Sequence, residues 1–148
     1  MKRTYYAIGF ANDALGWEIR NMYFKGCIAP KAITTIKRGT DCLQIFEGFM
    51  DFLSWQTLNP SSTCDTIVLN SLALLPRIQE KIKGYKQVES FLDNDDAGRK
   101  SFEVLKHFCP SIIDGSVRYR THKDINEWLV AQSKVKEKLP TTKRGIRR

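Results

Sequence analysis

Four carboxylates in this chain stand where a reactive site would need them. Glu47 ends the apolar run Leu43-Gln44-Ile45-Phe46, Asp93 and Asp95 follow the run at 87–92, and Asp124 follows a further extended stretch. Carboxylates gathered in one crevice repel one another, so without compensation some are protonated or splayed apart. A hard dication supplies that compensation, taking oxygen ligands from one or two carboxylates together with waters and phosphate oxygens. Mg²⁺ or Mn²⁺ in such a crevice would neutralise and position a phosphoryl group for in-line attack. Glu47 could also serve as general acid or base at the reacting oxygen.

Taken singly, each acid has a plainer explanation. Glu47-Gly48 alone reads as a strand-end turn with a negative charge at a helix start. Asp93-Asn94-Asp95-Asp96 alone reads as a helix N-cap with acids in the first turn, and Asp124 with Asn126 and Glu127 as another helix start. The Asp-Asn-Asp run also opens like a calcium loop, but the glycine and bidentate glutamate that loop requires are missing. What favours a shared site is their order, one after another at successive strand ends. Of the two histidines, His107 sits near a helix end, where it suits the dipole, and His122 adjoins Lys123-Asp124, close enough for a phosphate contact. Phe49, Phe52 and Trp55 read as core rather than as a base-stacking platform.

The elements that must position these acids alternate. From Leu43 onward, short apolar runs at 43–47, 66–69, 87–92 and 112–119 alternate with segments of helical spacing. The helical segments carry Phe49, Phe52 and Trp55, then Leu74, Ile78 and Ile82, then Phe102, Leu105 and Phe108, and last residues 125–131. Such alternation predicts an α/β fold, a central, mostly parallel four-stranded sheet flanked by helices. The strands are apolar with little alternation, as buried parallel strands are. Sites in open parallel sheets form beyond the carboxyl ends of strands, where these acids fall. Before the sheet, residues 4–10 and 15–20 flank Asn12-Asp13 and predict a small β-hairpin, while 21–41 is loop-like with a short strand near 33–36. The expected division is 1–42 for this N-terminal region, 43–132 for the main domain and 133–148 for a basic, disordered tail.

The chain has 148 residues and a formal net charge of +8, which favours polyanionic partners through counterion release. No apolar run nears the ~20 residues that span a bilayer, and no secretory segment opens the chain. A cytoplasmic protein without membrane association is expected. Cys27, Cys42, Cys64 and Cys109 form no closely spaced pair, so zinc is not expected and free, mostly buried thiols are.

These motifs together resemble the TOPRIM domain of bacterial-type DNA primases, type IA and type II topoisomerases and some repair nucleases. Ile45-Phe46-Glu47-Gly48-Phe49-Met50-Asp51 is similar to the first primase motif. Phe91-Leu92-Asp93-Asn94-Asp95-Asp96-Ala97-Gly98-Arg99-Lys100 is similar to the Asp-x-Asp motif, and Lys123-Asp124-Ile125-Asn126-Glu127-Trp128-Leu129 to the last. Leu69-Asn70-Ser71-Leu72-Ala73 falls at a short turn of the family, and residues 4–26 look like the strand pair that precedes the domain in primases. The likeness covers residues 43–130, and the trailing Ala-Gly-Arg-Lys points towards primases. It implies Glu47 as catalytic acid or base and metal ligand, Asp93 and Asp95 as the metal pair, and Asp124 with Asn126 at a second metal position. It assigns Asn70, Arg99, Lys100 and Lys123 to nucleotide or nucleic acid. Asn126 stands where primases carry Asp, which removes a negative charge and weakens a second metal; Ile125 replaces Pro. Such changes resemble a divergent, primase-like group of mobile genetic elements.

The activity this implies is RNA primer synthesis on single-stranded DNA from nucleotides, alongside a replicative helicase. A metal-dependent phosphodiester hydrolase and a catalytically weak nucleic-acid-binding module are the alternatives. Primases carry a zinc ribbon before this core and a helicase-interacting domain after it. Neither is found in these residues, so a fragment or a reduced member is expected.

Overall fold

The computed structural model describes residues 3–138. A small antiparallel sheet comes first, built from β1 (Ile8–Ala11), β2 (Trp17–Arg20) and β3 (Lys25–Ile28). Asn12 makes its first turn. Its Oδ1 accepts from the N–H groups of Ala14 and Gly16 at 3.0 and 2.9 Å, while Nδ2 donates to Pro30 O at 2.8 Å. The turn expected at Asn12-Asp13 is therefore present, but Lys25–Ile28, expected as loop, adds a third strand. Its pairing depends on the return of the chain beyond Asn21, whose side chain accepts from Tyr23 and Phe24 N–H.

The main sheet has five strands in the order β4 (Thr34–Ile36), β6 (Asp65–Val68), β5 (Cys42–Phe46), β7 (Gln87–Phe91), β8 (Ile113–Asp114). β5, β6, β7 and β8 are parallel and β4 lies antiparallel on the edge, so the mostly parallel sheet gains one strand over the expected four. Helices α1 (Phe49–Leu58) and α4 (Ile125–Lys138) cover one face, and α2 (Gln79–Ile82) and α3 (Asp96–Phe108) the other. Alternation along the strands divides the core. Leu43, Ile45, Ile67, Leu69, Val88 and Leu92 point to the α3 side, while Phe46, Val68 and Phe91 meet Phe49, Phe52, Trp55, Tyr119 and Ile125. Phe46 and Phe91 stack with ring centroids 4.9 Å apart. Burying one such side chain stabilises by about 1.5–3 kcal/mol. The aromatic set thus serves as core, as its spacing predicts.

The segment expected as one helix through Leu74–Ile82 begins as a 3₁₀ turn (Leu72–Ile78) before the four-residue α2, and Pro76 within it lacks the N–H an α-helix would use. The run at 117–119, expected as strand, is a second 3₁₀ turn (Gly115–Tyr119), started by Asp114 Oδ1 accepting from Ser116 N at 2.9 Å. α4 extends past the expected end at 131, as far as Lys138, into the stretch assigned to the basic tail; residues 139–148 lie outside the described residues. The expectation of four free, mostly buried thiols is also corrected. Cys42 and Cys64 form a disulfide with Cα atoms 5.0 Å apart, and free Cys27 is exposed. Adjacent parallel strands bring residues 22 apart in sequence side by side, which spacing alone does not reveal. No helix among the described residues is long and apolar enough to cross a membrane.

The two sheets are joined. Phe10 stacks on Phe49 at 5.3 Å. Thr34 Oγ1 donates to Ala11 O at 2.9 Å, and Asp13 accepts from Thr35 N and Oγ1 at 2.7 Å each.

Candidate metal centre

β5 occupies the centre of the main sheet, and the chain leaves it first for β6 on one side and later for β7 on the other. The crevice of an open α/β sheet opens at such a reversal, beyond the carboxyl ends of the strands. Glu47 follows β5 directly, and its N–H donates to Phe91 O at 3.3 Å. Across the gap, Glu47 Oε2 accepts from the Asp93 N–H at 3.1 Å, so the first acid is oriented by the loop that carries the second.

That loop is held by Asn94, whose backbone N–H donates to Lys123 O at 2.7 Å. Its side-chain amide donates to Tyr119 O and His122 O, both at 3.0 Å. One asparagine thereby ties the Asp93–Asp95 loop to the segment leading into Asp124. Asp95 Oδ1 accepts from Gly98 N at 2.8 Å and caps α3, the plainer role foreseen for this residue. Asp124 Oδ1 likewise accepts from Glu127 N at 2.7 Å at the start of α4.

Asp51, one helical turn beyond Glu47 in α1, points into the same place. Asp51, Asp93 and Asp124 each offer a carboxylate oxygen, and the three lie within 4.8 Å of one another. Glu47 stands beside them. Asp95 is half exposed, with Oδ2 4.0 Å from Lys123 Nζ, and is not among the three. The electrostatics follow from burial. Loss of water, then the charges of Asp124 and Asp93, push the Asp51 carboxyl up to about 7. Burial, and after it the Asp124 charge, also raises Asp93, and burial raises Glu47 against the stabilising Asp93 N–H. Lys123 is the local counter-charge, 3.4 Å from Asp93 Oδ2, and the Asp93 charge raises its ammonium.

A hard dication fits this donor set. The three convergent groups are carboxylate oxygens without sulfur or imidazole, and each carries repulsion that a cation would relieve. The cavity above them, of about 150 Å³, is closed on its other side by Glu18, Arg20 and Lys25 of the small sheet. Arg20 and Lys25 are cross-strand partners, so they stand together there.

Glu47, Asp93, Asp124 and Lys123 line one cavity. Asn70 also lines the cavity. Asn126 sits against α1 instead, donating from Nδ2 to Ser54 Oγ at 3.0 Å and from its backbone to Asp51 Oδ1 at 3.4 Å. Arg99 and Lys100 line a neighbouring hollow that shares Asp93, and Arg99 pairs with Asp96 at 2.6 Å. His122 Nδ1 lies 3.1 Å from Thr121 Oγ1, outside the residues that line the acid cavity. His107 falls in the last turn of α3. The sequence gives no role to Asp51, which reads as an ordinary acid in the first turn of α1. Arg20 and Lys25 have none, because strand register joins them only to each other and the packing of the small sheet on α1 brings them to the acids.

A parallel sheet with acids at the reversal of strand order, one set in an Asp-x-Asp loop, defines a Toprim-type domain. A family model described as Toprim-like matches residues 44–129, and the chain belongs to that family. A second model, a domain of unknown function (DUF8464), matches residues 1–29. Comparison with curated proteins finds no match. Among solved structures, the chain is similar to the primase fragment of the bacteriophage T7 primase-helicase protein. The TM-score is 0.65 at 15% identity, covering 90% of this chain and 61% of that one. It is also similar to a chain in a structure of the bacteriophage T7 lagging-strand DNA polymerase interacting with primase domains bound to an RNA/DNA hybrid and dTTP. Here the TM-score is 0.62 at 15% identity, covering 86% of this chain and 71% of that one. The chain thus spans less than two thirds of the T7 primase fragment.

Proposed function

We propose that this chain is a primase-type nucleotidyltransferase module that joins ribonucleotides on a single-stranded DNA template, using Mg²⁺ or Mn²⁺. The observation that carries the reading is one cavity with three convergent carboxylates on one wall and Arg20, Lys25 and Lys123 around it. Asp51, Asp93 and Asp124 would hold the cation, with Asp95 beside them. When bound, the cation supplies charge neutralisation on the transferring phosphoryl group. Glu47, raised by burial and held by the Asp93 N–H, is placed to take or give a proton at the reacting oxygen. Arg20, Lys25 and Lys123 balance phosphate charge, and Arg99 and Lys100 extend the basic surface past Asp93.

The likeness to the T7 primase fragment supports the fold side of this reading, and the RNA/DNA hybrid in the second structure agrees with its substrate. A replicative helicase is the proposed partner of this activity. The proposed setting is the cytoplasm.

The test mixes the protein with single-stranded template, labelled ribonucleotides and Mg²⁺. Template-dependent RNA oligomers, lost in Glu47→Gln, are the expected product. DNA cleavage without nucleotides would replace this reading with a hydrolase, and DNA binding without either would leave a binding module.

A further inference from the structure

The one covalent cross-link among the described residues, Cys42–Cys64, takes no part in the chemistry proposed for the acid site. It joins the first residue of β5 to the residue just before β6, at the opposite end of β5 from Glu47. The loop it closes spans a sequence separation of 22 and holds all of β5 and α1. Glu47, Asp51 and the Phe49 ring on which Phe10 stacks are therefore inside it. Apart from the bridge, a few hydrogen bonds hold the return segment 59–64. Ser62 Oγ donates to Gln44 Oε1 at 3.1 Å, Thr40 Oγ1 donates to Thr63 O at 3.3 Å, and Arg38 donates to Ser62 O. Pro60, Ser61 and Thr63 are exposed.

The fold sets these two cysteines side by side whether or not they are bonded. β5 and β6 are parallel with Leu43 opposite Asp65, which holds the neighbouring Cys42 and Cys64 with Cα atoms 5.0 Å apart. That separation lies within the range a bridge needs, so closing or opening it requires no rearrangement of the sheet. Both residues are half-buried, which leaves the sulfurs the access that thiol–disulfide exchange requires. Cys27, by contrast, is exposed and free, and Cys109 is half-buried and free. An exposed unpaired thiol suits surroundings in which small thiols keep cysteines reduced, and bridges formed there are usually transient and redox-sensing.

We infer that Cys42 and Cys64 are a reversible redox pair, closed by a small-molecule disulfide and opened by its thiol, that sets how readily the β5–α1 unit opens. One cysteine thiolate attacks a sulfur of the small disulfide, giving a mixed disulfide and releasing one small thiolate. The second cysteine thiolate then attacks the protein sulfur of that mixed disulfide and releases the other. The two cysteines are oxidised by two electrons, the small disulfide is reduced by two, and the cysteine protons end on the two small thiols. The bridge restricts the opened chain, so the reduced form opens more often although its folded contacts are the same. The pair works in this way whatever reaction the acid site performs.

The experiment equilibrates the full chain with mixtures of reduced and oxidised glutathione, quenches by alkylation and reads each cysteine by mass spectrometry. That readout separates the Cys42–Cys64 bridge from glutathione carried on Cys27. The bridged fraction should pass from nearly none to nearly complete across the mixtures and return when the order is reversed. Bridged protein should melt about 5–10 °C above the reduced form. Amide exchange in α1 and in 59–64 should be about tenfold slower when bridged. Cys42→Ser/Cys64→Ser should melt like the reduced wild type in every mixture. A pair that stays bridged, or stays open, across all mixtures would overturn the inference. Equal melting and equal α1 exchange in the bridged and reduced wild type would do the same, a comparison that needs no variant. A variant whose melting still follows the mixture would move the response to Cys27 or Cys109 and also overturn it.

Discussion

Asp51 bears the largest electrostatic load in the site, and its behaviour can be checked without any substrate. Its folded carboxyl titrates at about 7, well above the ordinary carboxylate of an unfolded chain near 4. A raised pKa means that the native state binds the proton more tightly. The resulting stability is fully present below about pH 4 and is lost as pH rises through about 7. Asp51→Asn carries no such charge. Urea unfolding in the presence of a chelator should give a wild type that weakens between pH 5 and pH 8 and a variant that weakens less and is the more stable at pH 8. Parallel pH profiles would contradict this. Glu47 and Asp93 were legible because each follows an apolar strand, whereas the run expected as strand before Asp124 forms a 3₁₀ turn. Asp51 stands inside a quoted motif but reads as an ordinary first-turn acid. Its burial depends on the contact between α1 and α4, which no local pattern encodes.

The Asp-x-Asp loop and α3 meet so closely that the helix start admits a glycine alone. A Cβ on Gly98 would lie 2.0 Å from Asp93 O. Gly98→Ala must therefore push the loop away, costing about 1–3 kcal/mol as overpacking does and displacing Asp93 from its partners. Thermal unfolding should show the stability loss and Mn²⁺ titration a weakened site; an unchanged site would mean that Asp93 is placed by something else. The strand–helix alternation from Leu43 to Asp124 was readable because buried parallel strands and helical spacings differ in period. Three features were not. That the short strand expected near 33–36 joins the main sheet as β4 follows from its pairing with β6, the 3₁₀ turns follow from Pro76 and from the Asp114 cap, and the Cys42–Cys64 bridge follows from strand adjacency.

The whole chain combines an acidic crevice with a net charge of +8, and the small sheet brings part of the positive charge to the crevice itself. Binding of single-stranded DNA should weaken steeply with salt, since phosphate contacts release counterions. If Arg20 and Lys25 each meet a phosphate, Arg20→Ala/Lys25→Ala should reduce the slope of log affinity against log salt by about 1.4. An unchanged slope would place the strand elsewhere. The hairpin of the small sheet was legible from its turn, whereas its position over the acids depends on Phe10 stacking against Phe49, a contact made across the two sheets.

Every catalytic reading of this molecule depends on a cation at Asp51, Asp93 and Asp124. Calorimetric titration of Mn²⁺ into the wild type and into Asp93→Asn/Asp124→Asn tests that directly, with circular dichroism confirming that both are folded. The account predicts saturable binding by the wild type and at least about a tenfold loss of affinity in the double variant, each charged ligand contributing a bond worth about 1.5–3 kcal/mol. Equal affinity in the two proteins would contradict it.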